Sequence, residues 1–201
     1  MKPNRAFFVL MLSPLIVLAP GCASSASHRD GDVTEIEINE AQRLFDAQQY
    51  AAQAQDAEDP EDAVALYRRA VEAWDDFPAA WNNLGVALLE QGRYMDAAES
   101  FQAARARSGT DPRPAYNLAL TWERTRHLQE AAAEYAKALE IDGRFLPALR
   151  GSVYADDRMG VTTEETLDRL RTKLMVETDD RWRAYFEQRR LAVKAELADQ
   201  R

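Results

Sequence analysis

The sequence predicts an all-α protein. Glycine contributes only 8 of the 201 residues, alanine is abundant, and few pairs of turn-forming residues interrupt the chain. Small and apolar residues recur with the three- and four-residue spacing of a helix face, and the same pattern returns at a fixed interval along the chain. Together these observations predict helices that are organised as repeats and joined by short connections.

The strongest pattern is a triplet of a small, an aromatic and a small residue that recurs with a 34-residue period. The three copies are Ala63, Tyr67 and Ala70, then Ala97, Phe101 and Ala104, then Ala131, Tyr135 and Ala138. Because members of a triplet are four and three positions apart, each triplet lies on one face of a helix. The small residues let two helices approach closely, and the aromatic residue fills the groove beside them.

Capping and turn residues predict where the helices begin and end. Asp59-Pro60 and Asp111-Pro112 each place a capping carboxylate before a proline in the first helical position, and Pro78 begins a helix in the same way. Gly92 and Gly143 lie where helices should end. The predicted helices span 39–55, 60–74, 78–91, 94–107, 112–125 and 128–141, followed by a degenerate segment at 146–158 and helices at about 163–175 and 180–198.

The segment Trp81-x2-Leu84-Gly85-x2-Leu88, followed by Ala97-x3-Phe101, resembles a tetratricopeptide repeat. The resemblance implies a short right-handed α-α superhelix of about three helix pairs, each with a helix A and a helix B, plus C-terminal capping helices. It assigns repeats to about 43–77, 78–111 and 112–145, a degenerate repeat to 146–158 and the capping helices to 159–201. Trp182, Tyr185 and Phe186 are expected to pack against the last repeat, whose apolar face needs a cover.

The segment 1–21 has the pattern of a signal peptide. Lys2 and Arg5 precede an apolar run over residues 7–19, which is shorter than the roughly 20 residues of a membrane-spanning helix. Leu18-Ala19-Pro20-Gly21-Cys22 resembles the lipoprotein box of bacterial lipoproteins, although Pro20 departs from it. The resemblance implies cleavage before Cys22, lipidation of its sulfur and a flexible tether over 22–38. A general secretory signal and an uncleaved anchor are the alternatives.

Composition and motifs favour a protein without catalytic chemistry. The formal net charge of −9 and the lack of a basic block disfavour binding to nucleic acid, and a single cysteine excludes an intramolecular disulfide. No Gly-rich phosphate loop or metalloprotease motif is present, so we expect no cofactor, no metal and no catalytic residue. Four acid pairs are interpreted as capping carboxylates: Asp75/Asp76, Asp156/Asp157, Glu164/Glu165 and Asp179/Asp180.

In the tetratricopeptide family, the inner face of the A helices forms a concave groove that takes peptides or partner helices. The resemblance assigns nine residues to such a groove: Asn82, Val86, Leu89 and Glu90 from the second repeat, and Arg113, Tyr116, Leu120, Glu123 and Arg124 from the third. Gln48 and Ala52 replace the Lys and Asn with which some members bind a terminal carboxylate. The other interpretation is that several of the nine are ordinary solvated helix surface.

These features predict a lipid-anchored scaffold or assembly factor that binds a protein or peptide partner at a bacterial envelope membrane. Ala23, which is not Asp, follows the cysteine, and this resembles lipoproteins sent to the outer membrane, facing the periplasm. The alternative is an accessory or regulatory subunit of an envelope enzyme, for example a cell-wall-modifying one, with recognition through the aromatic C-terminal helix. The sequence does not predict an oligomeric state.

Overall fold

The computed structural model describes residues 35–200, with side chains from residue 39 onward. The predicted signal peptide, Cys22 and residues 22–34 of the tether lie outside the described residues. The first helix begins at Glu35, so residues 35–38 belong to this helix and not to the tether. In the described region, no helix is long and apolar enough to span a bilayer.

Residues 35–200 form nine α-helices and no strand, as the all-α prediction requires. The helices are α1 (Glu35–Asp56), α2 (Pro60–Ala73), α3 (Pro78–Glu90), α4 (Tyr94–Arg107), α5 (Arg113–Arg124), α6 (Leu128–Ile141), α7 (Leu146–Arg158), α8 (Glu164–Val176) and α9 (Asp180–Asp199). For the eight helices that the sequence predicts, every boundary except the start of α1 lies within one residue of its predicted position, and α7 occupies the segment predicted as a degenerate repeat. Asp59 caps α2 as expected, because its carboxylate accepts a hydrogen bond from the backbone N–H of Glu61.

The first six helices pack as three pairs, α1 with α2, α3 with α4 and α5 with α6. Ala97 and Ala131 are completely buried, which confirms that the small residues of the triplets lie in tight helix–helix contacts. Gly85 of α3 is required for the same reason, because a Cβ atom there would lie 2.5 Å from the ring of Phe101. The repeating sequence pattern therefore corresponds to repeated close packing of helix A on helix B.

The turn that follows each of α3, α5 and α7 has the same geometry. Gly92, Arg126 and Gly160 recur at the repeat spacing and all have positive φ, at 73°, 65° and 67°. The next residue in each turn donates its N–H to a carbonyl of the preceding helix's last turn, for example from His127 to the carbonyl of Trp122. These bonds define a Schellman C-cap, which glycine adopts without steric cost and which Arg126 adopts at a cost of about 1 kcal/mol.

The repeat pattern ends after α7. α7 occupies the position of a fourth helix A, but α8 contacts α9 more extensively than it contacts α7, unlike a helix B. Val153 of α7 joins an apolar cluster with residues of both capping helices: Leu167, Leu170, Phe186 and Val193. The capping helices thus cover the last helix of the solenoid, and Trp182, Tyr185 and Phe186 pack there as expected.

The acid pairs differ in what they do. Asp179 caps α9, where its carboxylate accepts hydrogen bonds from two backbone N–H groups. The capping interpretation is wrong for Asp156 and Asp157, which lie at the end of α7. Asp156 pairs with Arg169 of α8 at 3.0 Å, and Asp157 accepts a hydrogen bond from the hydroxyl of Tyr185 in α9. This pair therefore connects the repeats to the capping helices.

Candidate partner-binding site

One cavity of about 460 Å³ lies between α5 and α7, on the surface formed by the A helices. We call it the α5–α7 cavity. Matching repeat positions of the two helices face each other across it, since Arg150 is the repeat equivalent of Tyr116 and Tyr154 that of Leu120. The complete lining consists of Tyr116, Leu120, Glu123, Tyr135, Pro147, Arg150, Gly151, Tyr154 and Trp182.

Aromatic contacts fix the α5 wall of the cavity. The ring of Tyr116 lies 6.0 Å from that of Tyr135 and 5.6 Å from that of Phe145, the second contact being edge-to-face. Such pairs hold a ring in one orientation and each contribute about 1 kcal/mol. Tyr116 remains half-buried, and its hydroxyl forms no hydrogen bond with any described residue. The cavity therefore presents a pre-positioned aromatic side chain with a free hydroxyl.

Tyr135 lies at the base of the cavity and orients Glu123. Its ring is completely buried, in the space that Gly151 leaves open because a Cβ atom at that position would overlap the ring. The Tyr135 hydroxyl donates a 2.8 Å hydrogen bond to Oε2 of Glu123. Burial, together with the neighbouring Glu123 carboxylate, raises the pKa of Tyr135 far above its usual value, so the hydroxyl remains a donor.

Arg150 forms the opposite wall of the cavity and makes an ion pair with Glu177. Its guanidinium donates to both carboxylate oxygens of Glu177, at 2.9 and 2.7 Å, and lies 5.2 Å above the ring of Trp182. The Glu177 side chain is completely buried and also accepts hydrogen bonds from the backbone N–H groups of Thr178 and Asp179. The bonds from Arg150, and then those from the backbone, lower the pKa of Glu177 to about 2.

The structure brings together only some of the residues predicted for the groove. Tyr116, Leu120 and Glu123 line the α5–α7 cavity, whereas Val86 and Glu90 line a separate cavity of about 420 Å³ formed with α1 and α2. The two cavities do not share a lining residue. The predicted groove is therefore divided into two parts in this structure.

The other four predicted residues have different surroundings. Leu89 is 8% exposed and belongs to the core, which corrects its assignment to the groove. Asn82 accepts a 2.9 Å hydrogen bond from Asn117, and this bond connects α3 to α5. Arg113 pairs with Asp111 at the start of α5, an interaction that lowers the pKa of Asp111, and Arg124 is exposed at the end of the same helix.

Six residues of the lining are not among those that the family resemblance predicts for the groove: Tyr135, Pro147, Arg150, Gly151, Tyr154 and Trp182. One further repeat step from Tyr116 and Leu120 leads to Arg150 and Tyr154, so the repeat spacing contained a signal for these two residues. Trp182 lies in α9, outside the repeats, and the spacing gives no information about its position.

A larger cavity of about 640 Å³ lies between α6 and α8, where α8 diverges from the course of a helix B. Its lining includes the apolar residues Ala132, Leu139 and Leu149, and Lys173 in the same lining donates a 2.5 Å hydrogen bond to Ser152. Its acidic side chains are largely occupied by neighbouring cations, since Asp156 and Glu165 pair with Arg169 and Asp168 pairs with Arg171. The α5–α7 cavity is the better candidate because it offers polar groups without such partners.

Across residues 35–200, no group of three or more His, Cys, Asp or Glu side chains is arranged to hold a metal ion. Glu58 and Asp59 are exposed in the connection between α1 and α2, and Glu61 is exposed in the first turn of α2. The arrangement of the α5–α7 cavity, with aromatic walls and a few polar groups, is typical of a binding site.

Comparisons with known proteins agree with this architecture. The family model described as tetratricopeptide repeat matches residues 51–112 and 88–144. None of the curated proteins matches the sequence significantly. Among solved structures, the crystal structure of MamA has a TM-score of 0.54 and 19% identity, covering 80% of this chain and 81% of MamA.

Two further structures have a similar fold. A second crystal structure of the MamA protein has a TM-score of 0.57 and 21% identity, covering 71% of this chain and 76% of that one. The first tetratricopeptide domain of Spaghetti (RPAP3), bound to the HSP90 peptide SRMEEVD, has a TM-score of 0.51 and 15% identity, covering 61% of this chain and 94% of that one. At these identities the likeness concerns the fold alone, and the family match shows that residues 51–144 are similar to tetratricopeptide repeats.

Proposed function

We propose that this protein is a scaffold that binds a segment of a partner protein in the α5–α7 cavity while a lipid on Cys22 holds it at a bacterial envelope membrane. Tetratricopeptide repeats are typically interaction modules, and one structural neighbour, the RPAP3 domain, is bound to a peptide. Both observations support a protein or peptide partner for this chain.

The free polar groups of the α5–α7 cavity are the main reason for placing the partner there. Tyr116 and Glu123 present polar atoms inside an aromatic cavity, and neither is tied to another repeat as Asn82 is. A volume of about 460 Å³ is within the usual range of ligand cavities, roughly 300–1,000 Å³. It has room for anchoring side chains of an extended or helical segment, and such anchors dominate the affinity of most interfaces.

The C-terminal helix contributes Trp182 to this surface. The rings of Trp182, Tyr185 and Phe186 pack against one another with centroids 5.8 to 6.1 Å apart. Phe186 is completely buried, and Trp182 lines the α5–α7 cavity. An accessory subunit of an envelope enzyme that used Trp182 for recognition would therefore use the same cavity. The scaffold and accessory-subunit hypotheses then share one binding surface and differ only in the partner.

The partner-binding proposal is tested by capturing the partner from crosslinked envelopes and titrating variants against it. We expect Tyr116→Ala to weaken binding at least tenfold, which corresponds to about 1.4 kcal/mol. Gln102→Ala, an exposed change on α4, should have no effect. Because Tyr116 also contacts Tyr135 and Phe145, thermal melting must accompany the titration, and Tyr154→Ala provides a second variant on the α7 wall. Normal binding by both cavity variants would contradict the proposal.

The anchoring part of the proposal rests on the apolar run over residues 7–19 and on the position of the single cysteine after it. We expect Cys22→Ser to leave an unprocessed precursor or to release the protein into the soluble fraction. Mass spectrometry of the wild-type N-terminal peptide should show acyl chains on Cys22. A wild-type peptide without lipid, together with unchanged fractionation of the variant, would refute the anchor.

A further inference from the structure

We infer that the partner segment presents a basic side chain, arginine or lysine, to Glu123 in the α5–α7 cavity. This inference rests on the proposed function, because it names the chemistry of the segment that the cavity binds. It follows from the charges that line the cavity, from their existing partners and from the aromatic faces around them.

The charges of the cavity do not balance. Glu123 and Arg150 are the two charged side chains in its lining. The charge of Arg150 is matched by the bidentate ion pair with Glu177. The Glu123 carboxylate has only the neutral hydroxyl of Tyr135 as a hydrogen-bond donor, and it forms no ion pair with any described residue. The cavity therefore holds one negative charge without a counter-charge.

A partner that covers the cavity removes water from Glu123. The free energy required for this desolvation depends on the side chain that the partner places beside the carboxylate. A neutral or acidic side chain would leave a carboxylate buried without a cation, which is strongly unfavourable. A guanidinium or ammonium group would instead form a charge-assisted hydrogen bond with Oε1 of Glu123, which accepts no hydrogen bond from any described residue. The cavity therefore favours basic segments, because neutral and acidic segments would bury the Glu123 carboxylate without a counter-charge.

The aromatic walls favour the same class of side chain. Cations already lie over two rings of the lining, with Arg158 5.7 Å from the centroid of Tyr154 and Arg150 5.2 Å from that of Trp182. Among the described residues, no cation lies over the ring of Tyr116. A basic side chain that reaches Glu123 can place its apolar stem against Leu120 and its charge near Tyr116. The overall charge of −9 should also speed the approach of basic segments.

The test uses a random dodecapeptide phage library selected against the full chain. The selected peptides should be enriched in arginine or lysine, and one of them is then synthesised as the binding probe. We expect Glu123→Gln to weaken binding of this peptide about 10- to 100-fold, the usual range for a hydrogen bond to a charged group. The amide oxygen of the substituted side chain can still accept a hydrogen bond from the Tyr135 hydroxyl, so the fold should persist. Glu140→Gln, which removes the same charge at an exposed position on α6, should leave binding unchanged.

A double-mutant cycle gives the decisive measurement. The basic residue of the peptide is replaced by methionine, and both peptides are titrated against the wild type and Glu123→Gln. Strong coupling between the two changes, weakened by added salt, supports the inference. Coupling near zero, or selected peptides without a basic bias, overturns the inference. The proposed function stands in that case if Tyr116→Ala weakens binding of the selected peptide at least tenfold. If no peptide is selected, or if Tyr116→Ala has no effect, both the inference and the cavity assignment are overturned.

Discussion

The repeats and the capping helices of this protein are held together by different interactions. In α3–α6, contacts between helices consist mainly of alanines and aromatic rings, and Ala97, Phe101, Ala131 and Tyr135 are all completely buried. In α7–α9, an apolar cluster is supplemented by charged groups, because Lys173 and Glu177 are 4% and 2% exposed. The first kind of interface depends mainly on close packing, with polar contacts such as the Asn82–Asn117 hydrogen bond and the Arg105–Glu134 ion pair beside it. In the second, charged groups lie inside the interface itself.

The transition between the two regions is abrupt. The turn after α7 has the same C-cap as the turns after α3 and α5, so the repeat geometry continues as far as Gly160. The segment that follows lacks the small–aromatic–small triplet and has Glu165, Arg169 and Thr172 at the matching positions. A polar face of this kind cannot enter the close apolar contact of a helix B, and α8 packs on α9 instead. Loss of one triplet therefore redirects the chain.

The largest expected effect tests the repeats. Ala131→Glu places a charge in a fully buried contact between helices, where it has neither space nor a partner. We expect a loss of roughly 3–5 kcal/mol in the free energy of unfolding, a large part of the stability of an ordinary domain. The matched control is Ala133→Glu, at an exposed position of the same helix, which should cost less than about 0.5 kcal/mol. Equal melting temperatures for the two variants would refute the repeat register.

The same contrast explains what could be predicted from sequence. The spacing of small and aromatic residues predicts the helices and their pairing because it reports on packing between neighbours in the chain. The family resemblance, and not this spacing, assigns Tyr116, Leu120 and Glu123 to a groove. One more repeat step from Tyr116 and Leu120 leads to Arg150 and Tyr154. No spacing could indicate that Glu177 pairs with Arg150, because Glu177 lies in the loop between α8 and α9, outside the repeat pattern.

The second expected effect tests the charged anchorage of the capping helices. Glu177→Gln removes a buried carboxylate that receives two hydrogen bonds from Arg150. Because the Arg150 side chain remains 28% exposed, its unpaired charge is partly solvated, and we expect a cost of about 2–3 kcal/mol. Glu187→Gln, exposed on α9, is the matched control. Hydrogen exchange should show earlier opening of α8 and α9 only in the first variant.

The acid dependence of Glu177 follows from its lowered pKa. Because the carboxyl titrates near 2 in the native protein and near 4.5 when unfolded, its contribution is complete above pH 4.5 and is lost as the pH falls towards 2. Urea unfolding of the wild type across this range should show that loss, and Glu177→Gln should show less of it. An identical acid profile in the two proteins would contradict the proposed role of the ion pair.

The smallest expected effect concerns Lys173, the buried amine between α7 and α8. Its Nζ atom donates to the neutral hydroxyl of Ser152, and it forms no ion pair with any described residue. Burial lowers the pKa of Lys173 from 10.5 to about 8. The nearby negative charge of Asp156 acts in the opposite direction, and the positive charge of Arg169 lowers the pKa further. Between these two pH values the unfolded chain binds more protons than the native protein, so the free energy of unfolding should rise with pH.

We expect this rise to be about 1–2 kcal/mol between about pH 7 and 9.5. Measurements should stop below about pH 10, because burial raises the pKa of Tyr185 to about 12 and tyrosines with raised values cause stability to fall at higher pH. Lys173→Met should abolish the rise, whereas Lys194→Met, at an exposed position of α9, should retain it. A rise that persists in Lys173→Met would mean that another group titrates in this range. A wild-type profile without a rise would mean that the capping helices tolerate a buried cation at no cost, and the contrast with the repeats would then rest on Glu177 alone.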